Sequence, residues 1–307
     1  MSHPMSAVGL GATAATPRRT LRHRLADRGL DRTLWLVLPA TGFVAVFFVY
    51  PFIYGLQLSF EPLQGGVFSN YHRFFADPYL RDTIWKTLRL AVPAALFNVI
   101  ASIPVAYVMR GKVRGKRTIT TLLVIPITLG TVLTAQGLIM YAGPHGWLNR
   151  ILMGLHVIDQ PLTLIHNYIG VFLSIVITGF PFAFLLTLSY LSGIDPALEK
   201  AAATLGANAW QRFRTITLPL LAPGLAITFT LAFVLSFSVF PSAQMVGKPA
   251  GETRVISIAA YDAAFKDFDY SMGSTIAMIM AVIMLLVIAM VMVWRATLYR
   301  GATGGKG

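Results

Sequence analysis

The sequence predicts an all-α polytopic membrane protein with six transmembrane helices, and three observations carry that expectation. Of the 307 residues, 56% are hydrophobic and only 12% are charged, against about a quarter charged in soluble domains. Six stretches contain no Asp, Glu, Lys or Arg: 33–60, 90–109, 118–149, 160–194, 215–247 and 270–294. Each is long enough for the roughly 20 residues that a helix needs to cross the hydrocarbon core. The basic residues between them alternate in density. Segments around Arg18–Arg32, Arg110–Arg117, Lys200–Arg214 and Arg295–Lys306 hold 17 Lys and Arg, while the intervening segments hold 7, with Arg89 at a helix end. Basic residues are retained on the cytoplasmic side, so both termini and the stretch 195–219 are expected there.

The net charge of +13 raises nucleic acid as a partner. Because the charge sits beside hydrophobic spans, insertion topology and anionic membrane lipids explain it better, and no nucleic acid is expected. With no cysteine, a disulfide framework and a thiolate metal site are excluded.

In chain order, 1–33 is a basic cytoplasmic segment, polar to residue 17 and then amphipathic through Leu21, Leu25 and Leu30. A cleaved signal peptide does not fit, because the apolar run that follows is too long. The first span is expected over Leu34–Ser59. An outer loop, 60–86, carries Gly65-Gly66 and then Asn70-Tyr71-His72-Arg73-Phe74-Phe75. The second span, Thr83–Met109, contains Pro93 and Pro104, which requires neighbouring helices to satisfy the freed carbonyls.

A short basic turn, 110–117, serves as a topology anchor. The third span, Ile119–Tyr141, contains Pro126 and four polar residues, Thr128, Thr131, Thr134 and Gln136. These either line a polar pathway or bond between helices. Trp147–Leu155 is amphipathic and too short to span, so it is placed at the outer surface. The fourth span, Tyr168–Tyr190, has a bend expected at Gly179-Phe180-Pro181-Phe182. The fifth is expected from Leu220 to Gln244, the outer loop 246–269 follows, and the sixth covers Met272–Trp294 with six methionines suited to adaptable packing. The transmembrane domain is thus 34–296, and 297–307 is a cytoplasmic tail.

Chemistry of the enzymatic kind is missing. There is no Gly-rich Lys-Ser/Thr phosphate loop, no His-Glu-x-x-His run and no Gly-x-Ser-x-Gly elbow. No catalytic residue, metal site or cofactor is therefore assigned to this chain. His145, His156 and His166 are read as interfacial. The spans lack the Asp, Glu, Lys or Arg that ion-driven carriers use for coupling, and no potassium-type filter sequence is present. An ATP-independent channel or secondary transporter is therefore the alternative class, not the first reading.

The distinctive stretch is Asp195–Pro219. Asp195 caps and Pro196 opens a helix. Leu198, Ala201, Ala202 and Leu205 then fall at i, i+3, i+4 and i+7, one narrow apolar stripe. Gly206 interrupts it, a second short helix is expected over Ala207–Ile216, and Leu218-Pro219 leads into the fifth span.

Ala201, Ala202, Gly206, Ile216, Leu218 and Pro219 match, at the right distances, the cytoplasmic loop of permease subunits from bacterial ABC importers. That pattern reads Glu-Ala-Ala, three residues, Gly, nine residues, Ile, one residue, Leu-Pro. The glutamate position is occupied by Lys200, and Glu199 lies one residue earlier, about 100° round the helix. The resemblance implies a permease whose loop couples to an ATPase through Leu198, Glu199, Lys200, Ala201, Ala202, Leu205, Gly206, Ile216, Leu218 and Pro219. It implies an ABC ATPase dimer that binds ATP and Mg, a second permease subunit (a related chain or a second copy), and a periplasmic or lipid-anchored substrate-binding protein. The implied location is the bacterial inner (plasma) membrane.

Gly146-Trp147-Leu148-Asn149, Val157-Ile158-Asp159, Thr204-Leu205-Gly206-Ala207 and Leu221-Ala222-Pro223-Gly224 resemble the spermidine/putrescine branch. Ala264–Tyr270 resembles sugar permeases. The expected solute is polyamine-like or another small organic molecule, with a sugar as the alternative.

Overall fold

A computed structural model describes residues 33–111 and 113–299. The expected basic amphipathic segment before residue 33 and the tail beyond residue 299 lie outside the described residues. Described residues contain helices and no strand. Six helical segments among them are long and apolar enough to cross a membrane: Val37–Ser59, Pro78–Arg110, Lys116–Gly154, Tyr168–Ser192, Ala209–Phe237 and Tyr270–Ala296. The described residues divide into two compact units, the boundary falling between Tyr54 and Gly55.

In the first unit, α1 (Thr33–Val44) passes into a π turn, Ala45–Val49, and then into α2 (Tyr50–Ser59). The π turn ends two residues before Pro51. A proline removes its own N–H and crowds the carbonyl four residues back, and a widened turn relieves both. The same arrangement recurs in the second unit, where the π turn Phe213–Thr217 ends two residues before Pro219.

The second unit begins with the C-terminal part of α2, followed by α3 (Ser69–Ala76) and the long α4 (Pro78–Arg110). Asp77 caps α4 by accepting from the Tyr79 N–H at 2.8 Å. Next come α5 (Lys116–Ala142), α6 (Trp147–Gly154) and α7 (Tyr168–Ser192). Then follow α8 (Pro196–Thr204), α9 (Ala209–Arg212), α10 (Leu218–Phe237), α11 (Pro241–Met245), α12 (Ile256–Tyr261) and α13 (Tyr270–Tyr299).

Helix α4 is the spine, packing chiefly on α7 and α10. Ala91, Ala94, Ala95 and Ala106 are fully buried along it, small side chains that let helix backbones approach closely. One core joins Phe74, Ala95, Phe233, Phe237, Ile256 and Ile276. Another, at the opposite end of α4, joins Ala106, Met109, Phe184, Leu191, Ile194 and Leu221. Pro93 deprives the Arg89 carbonyl of its helical partner, and the Tyr168 hydroxyl donates to that carbonyl at 2.6 Å. This is the inter-helix compensation that intramembrane prolines require. Hydroxyl pairs also link helices directly, Ser102 with Thr187 at 2.7 Å and Ser174 with Ser242 at 2.9 Å.

Two elements differ from expectation. Helix α5 is broken at Gly130, whose φ of 71° and ψ of 175° lie outside any helix, a conformation open to glycine because it lacks a Cβ. The fifth span starts much earlier than Leu220, running without interruption from Ala209 to Phe237. The expected second short helix is therefore the first turns of that span, and the π turn is what allows the helix to continue through Pro219.

Candidate functional site: the loop between the fourth and fifth spans

Helix α8 is defined at both ends by local chemistry. The Asp195 carboxylate accepts from the Ala197 N–H at 2.8 Å. At the other end, Gly206 has φ +86°, the Gly206 N–H donates to the Ala203 carbonyl, and the Ala207 N–H donates to the Ala202 carbonyl, each at 3.0 Å. Together these form a Schellman motif, with the left-handed residue at the position where glycine carries no steric penalty. The two positions that the motif's backbone bond joins, Ala202 and Ala207, are both half-buried. The spacing of two alanines and a glycine thus encodes a helix stop. Two residues later Asn208 starts the next helix through a reciprocal capping box with Gln211, at 2.9 and 2.8 Å.

The stripe predicted from the spacing divides when the structure is considered. Leu198, Ala201 and Leu205 are exposed, Leu205 at 88%. Ala202 turns inward together with Glu199. Lys200 is exposed beside the apolar residues, and Trp210 at 66% exposure extends the apolar surface onto α9. Its ring stacks on Phe213, 5.7 Å between centroids, and Phe213 meets Tyr107 of α4 edge-on.

Glu199 is the inward attachment of the loop. Its carboxylate accepts from Arg110 Nη1 at 2.8 Å and from Thr217 Oγ1 at 2.6 Å, with the Tyr107 hydroxyl at 3.4 Å. Arg110 Nη2 also donates to the Ile194 carbonyl at 3.0 Å. Burial by itself raises the Glu199 pKa, but hydrogen bonds from Thr217 and Arg110 outweigh it and hold the carboxyl below its ordinary 4.5. Glu199 is therefore ionised and paired inside the protein, and Lys200 alone of the two faces outward. The remaining expected coupling residues sit on the start of the fifth span, Ile216 and Leu218 half-buried and Pro219 exposed.

Arg110, Thr217 and Tyr107 were not singled out by the sequence reading. Arg110 falls in a basic turn whose composition signals topology, and only the fold brings it to Glu199. The four polar residues of the third span lie on both sides of the Gly130 break. The Thr128 and Thr134 hydroxyls donate to their own helix, to Ile125 and Gly130 carbonyls. Thr131 and Gln136 are exposed. At the opposite end of the bundle, His145 and His166 line a cavity of about 430 Å3 with Arg150 and Trp147. No group of three His, Cys, Asp or Glu side chains able to hold a metal occurs among the described residues.

The described residues thus form a multi-spanning helical bundle with a capped helix between its fourth and fifth spans that exposes apolar side chains. The family model described as the binding-protein-dependent transport system inner membrane component matches residues 7–301, and this chain belongs to that family. It is a permease subunit, and ATP hydrolysis resides in a separate subunit. A probable sulfate transport system permease protein cysT from Prototheca wickerhamii is 31% identical over 218 residues, 70% of this chain and 83% of that protein. The spermidine/putrescine transport system permease protein PotB of Haemophilus influenzae is 27% identical over 212 residues, 66% of this chain and 73% of that protein. Among solved structures, a bacterial ABC transporter that imports the acidic polysaccharide alginate aligns with a TM-score of 0.76 at 22% identity, over 89% of this chain and 99% of that one. That likeness is one of fold.

Proposed function

We propose that this chain forms, with a second permease subunit, the solute pathway of an ABC importer in the bacterial inner membrane, with both termini and α8 in the cytoplasm. The observation that carries the proposal is the outer face of α8 and α9. Leu198 on α8 and Leu205 at its C-terminal cap are exposed on a helix whose ends are fixed by capping and whose inner face is spent on Glu199 and Ala202, and Trp210 on α9 is exposed beyond them. Exposed apolar anchors at i and i+7 suit a groove on a partner, and that partner is an ABC ATPase dimer charged with ATP and Mg. A periplasmic or lipid-anchored binding protein delivers solute to the opposite face. Closure of the ATPases moves α8, and the spans tilt between inward and outward access. Thr128, Thr131, Thr134 and Gln136, on either side of the Gly130 break, are proposed to line the pathway.

For the solute we propose the polyamine-like class or another small organic molecule. The similarity to PotB and the matching Gly146–Asn149 and Thr204–Ala207 stretches support it. A sugar is the second reading, favoured by Ala264–Tyr270. The test is a mild-detergent pull-down of this chain from its native membrane, with mass spectrometry of what accompanies it. Recovery of an ABC ATPase that is lost on deleting 199–206 is expected, and the co-purifying binding protein then reports the solute by direct ligand screening. Recovery of the chain without any nucleotide-binding protein would overturn the proposal in favour of a channel or autonomous carrier.

A further inference from the structure

Helix α8 is joined to the bundle at very few points. Of its nine residues, only Glu199 and Ala202 are not exposed. Among the described residues, the side-chain hydrogen bonds from α8 to other elements all converge on the Glu199 carboxylate. Its three donors come from two different spans: Arg110 and Tyr107 from the last turn of α4, and Thr217 from the π turn that opens into α10. Through its second nitrogen Arg110 also holds the Ile194 carbonyl, just past α7. Three segments therefore meet at one carboxylate, and a fourth is joined to it through Arg110.

The environment makes this tether stiff. The Arg110 and Glu199 side chains are only 13% and 17% exposed, so the pair is not one of the solvated surface bridges that contribute little. At 2.8 and 2.6 Å the two shortest bonds have charge-assisted lengths. Thr217 is fully buried, held there by the π turn, whose extra residue resets which side chain faces α8. Among the described residues, no other side-chain hydrogen bond carries a displacement of the exposed face of α8 into the bundle.

We propose that Glu199 is a positioning residue of the transport cycle, a carboxylate clamp with Arg110 and Thr217 that makes α8 and the adjoining ends of α4 and α10 move as one lever. The proposal rests on the reading of α8 as the ATPase-docking helix. It also gives Glu199 a role distinct from that of the glutamate in the family pattern. The glutamate's place, one residue on, is held by the outward-facing Lys200, while Glu199 works on the inner side.

Two measurements test it, and they fail separately. In the isolated chain in lipid nanodiscs, amide exchange across 197–206 is expected to rise at least tenfold in Glu199→Ala and in Arg110→Ala. The double variant should show no further increase, as a shared interaction requires. In the transporter purified with its partner subunits and reconstituted, Arg110→Ala is expected to retain ATPase recovery and basal hydrolysis while solute moved per ATP falls about tenfold, and Glu199→Ala is expected to show the same fall in that ratio. Glu199→Gln, which keeps the acceptor oxygen for Thr217 but loses the charge, should fall in between. It also serves as the readout if the alanine variant does not assemble. Unchanged exchange, or a normal ratio of transport to hydrolysis in both Glu199 variants, would overturn the clamp. Failure of the wild-type chain to bind any ATPase would instead remove the docking reading on which the clamp depends.

Discussion

Substitution of Gly206 isolates one physical cost. The residue holds φ +86°, and a Cβ built on it meets nothing within 4 Å. The penalty for alanine is therefore backbone alone, about 1–2 kcal/mol for an L-residue in the left-handed region. That corresponds to a change of roughly 5–30-fold in the population of the closed helix stop. Two amides report it directly, Gly206 to Ala203 and Ala207 to Ala202, because both bonds open when the stop unwinds. Hydrogen exchange of the peptide covering 203–210 in nanodiscs should accelerate by that factor in Gly206→Ala. Gly206→Asn should accelerate less, since asparagine tolerates the conformation, and Gly206→Val more. The same order should appear in loss of ATPase stimulation, since α8 and α9 present their apolar anchors in register only when the stop is closed. Exchange in Gly206→Ala within about twofold of wild type, or an asparagine variant worse than alanine, would refute the reasoning, because neither fits a purely conformational cost.

Two further outcomes follow from the interior. Asn98 is fully buried on α4 and packs against Gly179, and neither its Oδ1 nor its Nδ2 has a hydrogen-bond partner among the described residues. Asn98→Leu, which keeps the four side-chain heavy atoms and the branching at Cγ, should raise thermal stability in detergent by about 1–3 kcal/mol, the usual cost of an unsatisfied buried polar group, and a clear loss of stability would contradict this. Acid titration tests the Glu199 pair. The carboxyl has a folded-state pKa below its ordinary 4.5, so its contribution is complete above that value and fades as pH falls through the depressed one. The stability difference between wild type and Glu199→Gln should stay level from about pH 8 to 6 and shrink only in strong acid. A difference that grew on acidification would have the wrong sign.

Much of this molecule could be read from composition and spacing. Charge-free runs of 20 or more residues left no alternative to membrane helices, since an ionised side chain in hydrocarbon is costly. The Asp195-Pro196 start and the Gly206 stop were legible because capping is local: each involves residues within five positions of one another. What composition could not indicate was the start of the fifth span. Proline at 219 read as a boundary, and only the π turn shows the helix passing through it. The break at Gly130 was likewise hidden, because a glycine in an apolar run is compatible with a helix until its φ is known.

The sequence by itself determined that the chain spans a membrane, that its basic segments alternate, and that a capped helix with a glycine stop lies between the fourth and fifth spans. All of these depend on solvation or on neighbours along the chain. The tertiary structure decided which way that loop faces. Glu199 and Lys200 are adjacent in sequence and alike in polarity. One is drawn inward only because Arg110, 89 residues earlier, and Thr217, 18 residues later, arrive on the same side of it. A contact across that much chain leaves no periodicity to read, since it is fixed by how α4, α7 and α10 pack.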